Sequence, residues 1–307
     1  MNKLTRNSWL TSTVILVIGF LFLHFGLVEY GGTFFILFPL AVGFSIGTHD
    51  AGQRGWISLV FGLVIFFGFL LASALEGLIC VAMALPLFLI SMLIGYGIRR
   101  AIRKQRGEDR KALDPTDHLI DKDRLVATVL PLVLLLAVNP IEQILLPEPD
   151  LVEIESSVVL PYAAELVFDK VKSMDKLDAE KPLGIRLGLP SPYRCVLAAD
   201  TVGARRHCLF TNGEIVAEIT RYERGEVLEM DVVEYTLTGR DWFQFVDATY
   251  TLDREAGRTR ITRTSSYRSI LQPRFYWQPL ESWGIAQEHK FVLASLRKNL
   301  GEVSGGH

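Results

Sequence analysis

His289, Arg263 and Tyr267 are the residues of this chain whose types and settings best suit chemistry. A histidine can carry a proton near neutral pH, an arginine can grip a carboxylate or oxyanion with two parallel N–H groups, and a tyrosine offers a hydroxyl to a ligand oxygen. Together they could polarise a carbonyl, as a cyclase or dehydrase requires, or orient a bound molecule without reacting with it. His289 lies on a stripe of Ile285, His289, Val292 and Leu296, spaced by four, three and four, which is one face of a helix. A lone histidine on such a face is also explained by a hydrogen-bonded structural role. Alternation along Thr259 to Arg268 puts Thr259, Ile261, Arg263, Ser265 and Tyr267 on one face of a strand. With Ile261 inward, Arg263 and Tyr267 line the interior, and an inward arginine needs a carboxylate or an anionic ligand group. Phe243 and Phe245 alternate with Trp242, Gln244 and Val246, so both faces of their strand are partly apolar and either could line a cavity. The candidate cavity residues are therefore His289, Arg263, Tyr267, Phe243, Phe245 and Ile285. No catalytic assignment is made.

Other chemistries lack their residues. The GxSxG string at Gly43 to Gly47 lies inside an apolar stretch and not at a strand-to-helix elbow, and there is no glycine loop for phosphate and no HExxH pair. The cysteines and histidines do not fall at zinc-ligand spacing, so neither a metal nor a cofactor is expected. Cys195 and Cys208 lie on neighbouring strands. A turn centred on Val202-Gly203 sets Cys195 opposite Phe210 and Cys208 opposite Leu197, which leaves the two sulfurs on one face but diagonal, a spacing that disfavours a disulfide and leaves the pairing open.

The elements that must hold these side chains follow residue 147. The segment Pro147-Glu148-Pro149 reads as a stiff linker, Leu151 to Leu160 as a strand, and the run from Pro161 to Phe168 as a helix opened by proline. A second short helix is predicted near Met174 to Lys181, followed by a Gly/Pro-rich loop through Pro192. Six strands come next: 193–200, 205–211, 215–222, 227–235, 242–252 and 259–269. Their links carry turn signals at Val202-Gly203, Asn212-Gly213, Arg224-Gly225, Gly239-Arg240 and Ala256-Gly257, which forces an antiparallel meander. A closing helix runs from Pro279 to Leu300, with Gly301 as its C-terminal cap.

The first 146 residues are of another kind. Half of the chain is hydrophobic, and the excess is concentrated there in five apolar stretches, at 9–28, 33–48, 56–75, 77–98 and 125–146. A helix needs roughly 20 apolar residues to cross a bilayer core of about 30 Å, so these read as transmembrane helices, with 33–48, broken by Pro39, the weakest. The first is twice the length of a secretory h-region and has no cleavage pattern, so it stays in the mature chain. Basic residues sort to one side: Lys3 and Arg6, then Arg54, then nine Lys and Arg in the loop 98–124. The positive-inside rule then places the N-terminus and that loop in the cytoplasm and the domain 147–307 outside it, in a multi-pass protein of a bacterial-type cell membrane. His24, Glu76 and Glu142 are costly in lipid; the reading adopted is that the two glutamates reach headgroups and His24 bonds a neighbouring helix. Residues 1–146 hold 12 basic and 10 acidic residues, and residues 147–307 hold 20 and 24. Neither part is basic enough to expect nucleic acid as a partner.

Strand, short helices, meander and one long amphipathic helix is the order of a helix-grip fold, a curved antiparallel sheet around a long C-terminal helix. The stretches Arg194-Cys195, Gly203 to Gly213, Ile219-Thr220 and Leu228 to Val232 resemble the SRPBCC superfamily, which includes START-related and polyketide cyclase/dehydrase-like domains. Thr259-Arg260, Ser266-Tyr267-Arg268, Pro273 to Trp277 and His289 to Leu293 are similar to a bacterial subset with membrane-spanning N-termini. The resemblance covers about residues 150–300 and leaves the anchor aside. It implies a deep cavity for an apolar or amphipathic molecule, in a superfamily where binding domains sit beside a minority of enzymes. The expectation is an α-helical transmembrane region followed by an α+β helix-grip domain. Its partners would be the lipid bilayer and a hydrophobic small molecule, and its function binding, with a cyclase/dehydrase-like enzyme or a membrane sensor or assembly module as alternatives.

Overall fold

The computed structural model describes residues 3–49, 55–72, 78–106, 122–146, 148–237 and 242–304. The chain forms two compact units, Met1–Pro147 with Leu271–Pro273, and Glu148–Ile270 with Arg274–His307.

In the first unit, α1 (Lys3–His24) is followed by a π-helical turn, Thr33–Leu37, that runs into α2 (Phe38–His49); α3 (Gly55–Ala72), α4 (Leu78–Arg106) and α5 (Lys122–Leu145) complete it. The apolar stretch 9–28 ends earlier than expected because Gly26 takes φ 68°. The amide of Leu27 bonds Phe22 O and that of Gly26 bonds Leu23 O, the paired closure of a glycine C-cap. The basic run Arg99 to Arg106, expected in a loop, continues α4 as helix. The remainder of the loop, 107–121, and the turn at Glu76 lie outside the described residues.

Two helices in this unit approach backbone to backbone. A Cβ on Gly43 would sit 2.0 Å from Met92 O, and one on Gly95 would sit 1.9 Å from Leu40 O, so α2 and α4 can cross only through glycine. Gly43 and Gly47 form a GxxxG pair, the packing used where lipid removes the hydrophobic drive between helices. Beside it, Arg103 Nη1 donates to Gly47 O (3.1 Å) and Arg99 Nε to Thr48 Oγ1 (3.1 Å), placing cations at the negative end of α2. At the other end, Glu142 of α5 accepts the amides of Gly32 (2.7 Å) and Thr33 (2.8 Å), and Asn139 exchanges two hydrogen bonds with the backbone of Glu29. Glu142 is thus a cap supplied by one helix to another, not the headgroup contact expected for it. His24 is exposed, and its ring packs against Phe20 and Phe25.

Many large apolar side chains of this unit point outward, including Ile57, Val60, Phe61 and Val64 on α3, Ile90, Leu93 and Ile94 on α4, and Val129, Val133 and Leu136 on α5. By length and composition, one helix among the described residues, Leu78–Gln105, suffices to cross a membrane; Thr13–His24, Thr33–Thr48 and Val129–Leu145 are apolar but shorter. Five full crossings go beyond what these helices show.

The second unit is α+β. Its elements are β1 (Val152–Leu160), α6 (Ala164–Lys172), α7 (Leu183–Arg186), β2 (Pro192–Leu197), β3 (Arg205–Phe210), β4 (Gly213–Glu223), β5 (Val227–Tyr235), β6 (Phe243–Glu255), β7 (Arg258–Ser269) and α8 (Arg274–Ser304). The strands form one antiparallel sheet in the order β1-β7-β6-β5-β4-β3-β2, so the meander closes against the first strand. Register shifts at Val216/Ala217, Ile219/Arg221 and Phe245/Asp247 mark bulges, which bend and coil such a sheet. With the long C-terminal helix this is a helix-grip arrangement. Leu160, Val167, Phe168, Val171, Leu228, Ile261, Phe291, Leu296 and Leu300 are each 1% exposed or less. Burial of a side chain of this kind stabilises the fold by about 1.5–3 kcal/mol.

Three expectations are corrected here. Residues 174–181 are not helical: Met174 exchanges hydrogen bonds with Cys195, and Leu177 N donates to Tyr193 O, so pairing alongside β2 overrides local helix preference. The closing helix begins at Arg274 and continues past Gly301, with Pro279 inside it. Cys195 and Cys208 are direct cross-strand partners joined as a disulfide, their Cα atoms 4.1 Å apart. The register differs by two residues from a symmetrical turn at Val202-Gly203 because Gly203 N donates to Ile219 O and Ile219 N to Ala204 O. These two residues extend the ladder with β4 and do not fold back on β2.

Candidate functional site

Antiparallel partners point to the same face of a sheet, so the register defines rows across its inner side. One row joins Ser156 of β1, Arg263 of β7, Tyr250 of β6 and Leu228 of β5. A second joins Ile154, Ser265, Ala248 and Met230, and a third joins Val152, Tyr267 and Phe245. Phe243, opposite Ser269, shares that face, which resolves the strand whose two sides both looked apolar. The helix α8 lies against these rows: Ile285 is 5% exposed, and His289, Val292 and Leu296 are 2% or less.

His289 is held on both sides. Its Nδ1 lies 3.1 Å from Ser156 Oγ and its Nε2 lies 2.9 Å from Ser265 Oγ. Burial, with a smaller contribution from the Arg263 charge, pushes its pKa down to about 2, so the ring is neutral at any physiological pH. A neutral imidazole has one N–H to donate and one nitrogen to accept, and the two serines use both.

Arg263 is paired with Glu288, one residue before the histidine. The guanidinium faces the carboxylate, with Nη1 donating to Oε1 at 3.1 Å and Nη2 lying 3.0 Å from Oε2. Burial works against the Arg263 charge, but Glu288 outweighs it and the pKa moves up. The ring of Tyr250 carries two cations, with the guanidinium carbons of Arg263 and Arg206 5.5 and 5.7 Å from its centroid. Arg206 is buried, and among the described residues no carboxylate is in hydrogen-bond contact with it. Its Nε donates to Lys172 O and its Nη2 to Val171 O, each at 3.0 Å, so it closes the last carbonyls of α6. Burial, reinforced by Arg263, lowers its pKa.

The inner face is not uniformly closed. Along β7, Thr259, Ile261, Ser265 and Tyr267 are 1% exposed or less, yet the side chains between them at Arg263 and across from them at Glu288 keep 12% and 13%. Beyond that pair, Tyr267 stacks on Phe243 at 4.8 Å, Phe243 meets Phe245 edge-on at 5.0 Å, and Phe245 meets Tyr235 at 6.0 Å. Burial raises the Tyr267 pKa, so its hydroxyl stays protonated 3.4 Å from Ser282 Oγ. The arrangement is an aromatic wall leading to a balanced ion pair. On the opposite side of the pair, the interior is packed core.

The fold thus brings together His289, Arg263, Tyr267 and Ile285, with Phe243 and Phe245 at one end. Sequence reasoning did not include Glu288, Tyr250, Arg206 or Ser156. Glu288 had a usable signal: the demand of an inward arginine for a carboxylate, set against an acidic residue beside His289 and three positions after Ile285. Among the described residues, no group of three or more His, Cys, Asp or Glu side chains is placed to hold a metal.

No protein-family model and no curated protein matches this sequence. Solved structures similar to about half of the chain include norcoclaurine synthase from Thalictrum flavum, solved with dopamine and hydroxybenzaldehyde; it is 14% identical over 50% of this chain and 89% of its own, with a TM-score of 0.35. The Aha1 dimer from Colwellia psychrerythraea is 13% identical over 48% and 96%, with a TM-score of 0.32. A Nitrosomonas europaea protein is 13% identical over 50% and 96%, with a TM-score of 0.36.

Proposed function

We propose that this chain is a multi-pass membrane protein whose domain after residue 147, a helix-grip module of the SRPBCC type, binds a hydrophobic or lipid-like small molecule between β7 and α8. The observation that carries this reading is the retained exposure of Arg263 and Glu288 among the buried residues Thr259, Ile261, Ser265 and Tyr267 of β7, next to the aromatic wall of Tyr267, Phe243 and Phe245. Apolar binding sites are commonly built this way, from a mostly hydrophobic lining with a few polar groups that orient the guest.

The anchor is supported by the outward apolar side chains of α3, α4 and α5 and by the glycine crossing of α2 and α4. The Cys195–Cys208 disulfide favours placement of the domain on the oxidising side of the membrane. An enzyme using His289 as proton carrier is less well supported, because both ring nitrogens are occupied and the ring resists protonation.

Solvent extraction of the full purified chain, followed by mass spectrometry, tests the proposal. We expect an apolar molecule in stoichiometric amount from the native protein and its loss from Ile285→Trp, which fills the space beside the wall. Equal extracts from the two proteins would overturn it.

A further inference from the structure

Resting on the reading that this domain holds a hydrophobic guest between β7 and α8, we infer that the chain senses that guest: the connection 270–273, which joins the two walls of the site, links occupancy to the turn 29–33 that leads into α2.

β7 ends at Ser269 and α8 begins at Arg274, so the two walls meet in a very short connection. Such a connection ordinarily packs with the elements it joins, yet Leu271–Pro273 belong to the helical unit. Leu271 is buried, and within that unit Gln272 N donates to Tyr30 O at 3.3 Å. A Cβ on Gly32 would lie 4.0 Å from Gln272 Cβ. β7 therefore delivers the chain to the helical unit, and α8 takes it back within a few residues.

The turn that receives the connection is firmly held. Asn139 exchanges two hydrogen bonds with the backbone of Glu29, and Glu142 accepts the amides of Gly32 and Thr33. A Cβ on Gly31 would sit 2.5 Å from Glu142 Oε2, so the carboxylate lies directly against the backbone. The Tyr30 ring is 6.3 Å from those of Phe34 and Phe35, at the start of the same helical segment. Tyr30 O is thus fixed by α5 and by the turn that runs into α2.

The other side of the connection is equally stiff. Ile270 N donates to Trp242 O at 3.1 Å. Glu281 of α8 accepts Ser269 Oγ at 2.6 Å and Arg274 Nη1 at 3.0 Å, so one carboxylate grips the chain both before and after the connection. Tyr267 and Ile285 are 0% and 5% exposed, so a guest admitted beside them moves β7 and α8 apart. A stiff connection passes that movement to its fixed end, because packed elements shift between discrete arrangements and do not deform continuously. The linkage is reciprocal: whatever loosens the turn favours the guest by the factor with which the guest loosens the turn.

The full chain in detergent is offered N-phenyl-1-naphthylamine, an uncharged apolar probe. Native mass spectrometry reads its binding, and amide hydrogen exchange, also by mass spectrometry, reads the turn 29–33 with and without it. Exchange there is expected to rise about fivefold when the probe binds. Glu142→Gln, which weakens the hold on the turn, is expected to bind the probe about fivefold more tightly. Asn139→Ala, which frees Glu29 instead, is expected to act in the same direction. A Gly-Gly-Gly insert between Pro273 and Arg274, which slackens the connection, should leave the probe bound and abolish both responses. Probe binding with unaltered exchange at the turn, or an inserted chain that responds as the native one does, would overturn the sensor and leave the hydrophobic site standing. Failure of the native chain to bind the probe would overturn the hydrophobic site, and the sensor with it.

Discussion

His289 shows how a single side chain ties the long helix to the sheet. Its two serine contacts come from different strands, Ser156 on β1 and Ser265 on β7, so the ring staples helix to sheet, and burial keeps it neutral there. Since burial lowers its folded pKa from 6.5 to about 2, the stabilisation is complete above pH 6.5. Below that, the unfolded chain takes up a proton that the folded chain refuses, and stability falls, until the folded ring itself titrates near 2. This residue alone should cost about 1.4 kcal/mol per pH unit across that window. Replacing it by methionine, which cannot titrate, should lower stability at pH 8 by about 1–3 kcal/mol through the stranded serines. It should also flatten the decline toward pH 5. Thermal melts of the two proteins, followed by tryptophan fluorescence, would reject this account if they ran parallel from pH 8 to 5. His289 and Arg263 could be picked out from sequence because periodicity alone puts them inward. Tyr250 and Arg206 could not, since their placement depends on which strands become neighbours.

At the scale of elements, local patterning found every strand described in the second unit and the turns between them, apart from Gly239-Arg240, which lies outside the described residues, because period-two burial and glycine-marked reversals are written in adjacent residues. What patterning missed was decided by non-local pairing. The stretch 174–181 has the composition of a short helix, yet its backbone is claimed by β2. The same effect moved the β2–β3 register by two residues and turned a diagonal cysteine pair into a direct one. Closing a loop across 13 residues by a disulfide stabilises the folded state by about 2–3 kcal/mol through the unfolded chain. The double variant Cys195→Ser/Cys208→Ser should lose about that much in thermal or denaturant unfolding. Thiol titration of the denatured native chain checks the pairing directly. It should find one thiol, that of Cys80, before reduction and all three cysteines after it, and three before reduction would refute the bridge.

For the whole molecule, the proposed topology turns on which end of the helical unit the chain leaves by. Loop charges alone argue for exit on the side away from the basic residues, and the packing of the first unit adds an argument independent of charge counting. Gly47 and Thr48, at the last turns of α2, meet Arg103 and Arg99 of α4, so the basic end of α4 lies at the C-terminal end of α2. Glu142 and Asn139, near the end of α5, hold the residues just before and at the start of the same helical segment, Glu29, Gly32 and Thr33. From Thr33 to His49 that segment rises about 24 Å at roughly 1.5 Å per residue. The chain therefore leaves α5 at the end opposite the basic cluster, close to a bilayer's hydrocarbon thickness away from it. Each helix was visible in the sequence as an apolar run. The pairing of their ends was not, because it is made by Glu142, Asn139, Arg99 and Arg103, polar residues that hydropathy counts only as interruptions. An alkaline phosphatase fused after residue 307, which is active only outside the cytoplasm, should be active, and a fluorescent protein at the same position, which matures only inside, should be dark. The reverse pattern would put the domain in the cytoplasm, deprive the disulfide of its oxidising surroundings and refute the proposed orientation.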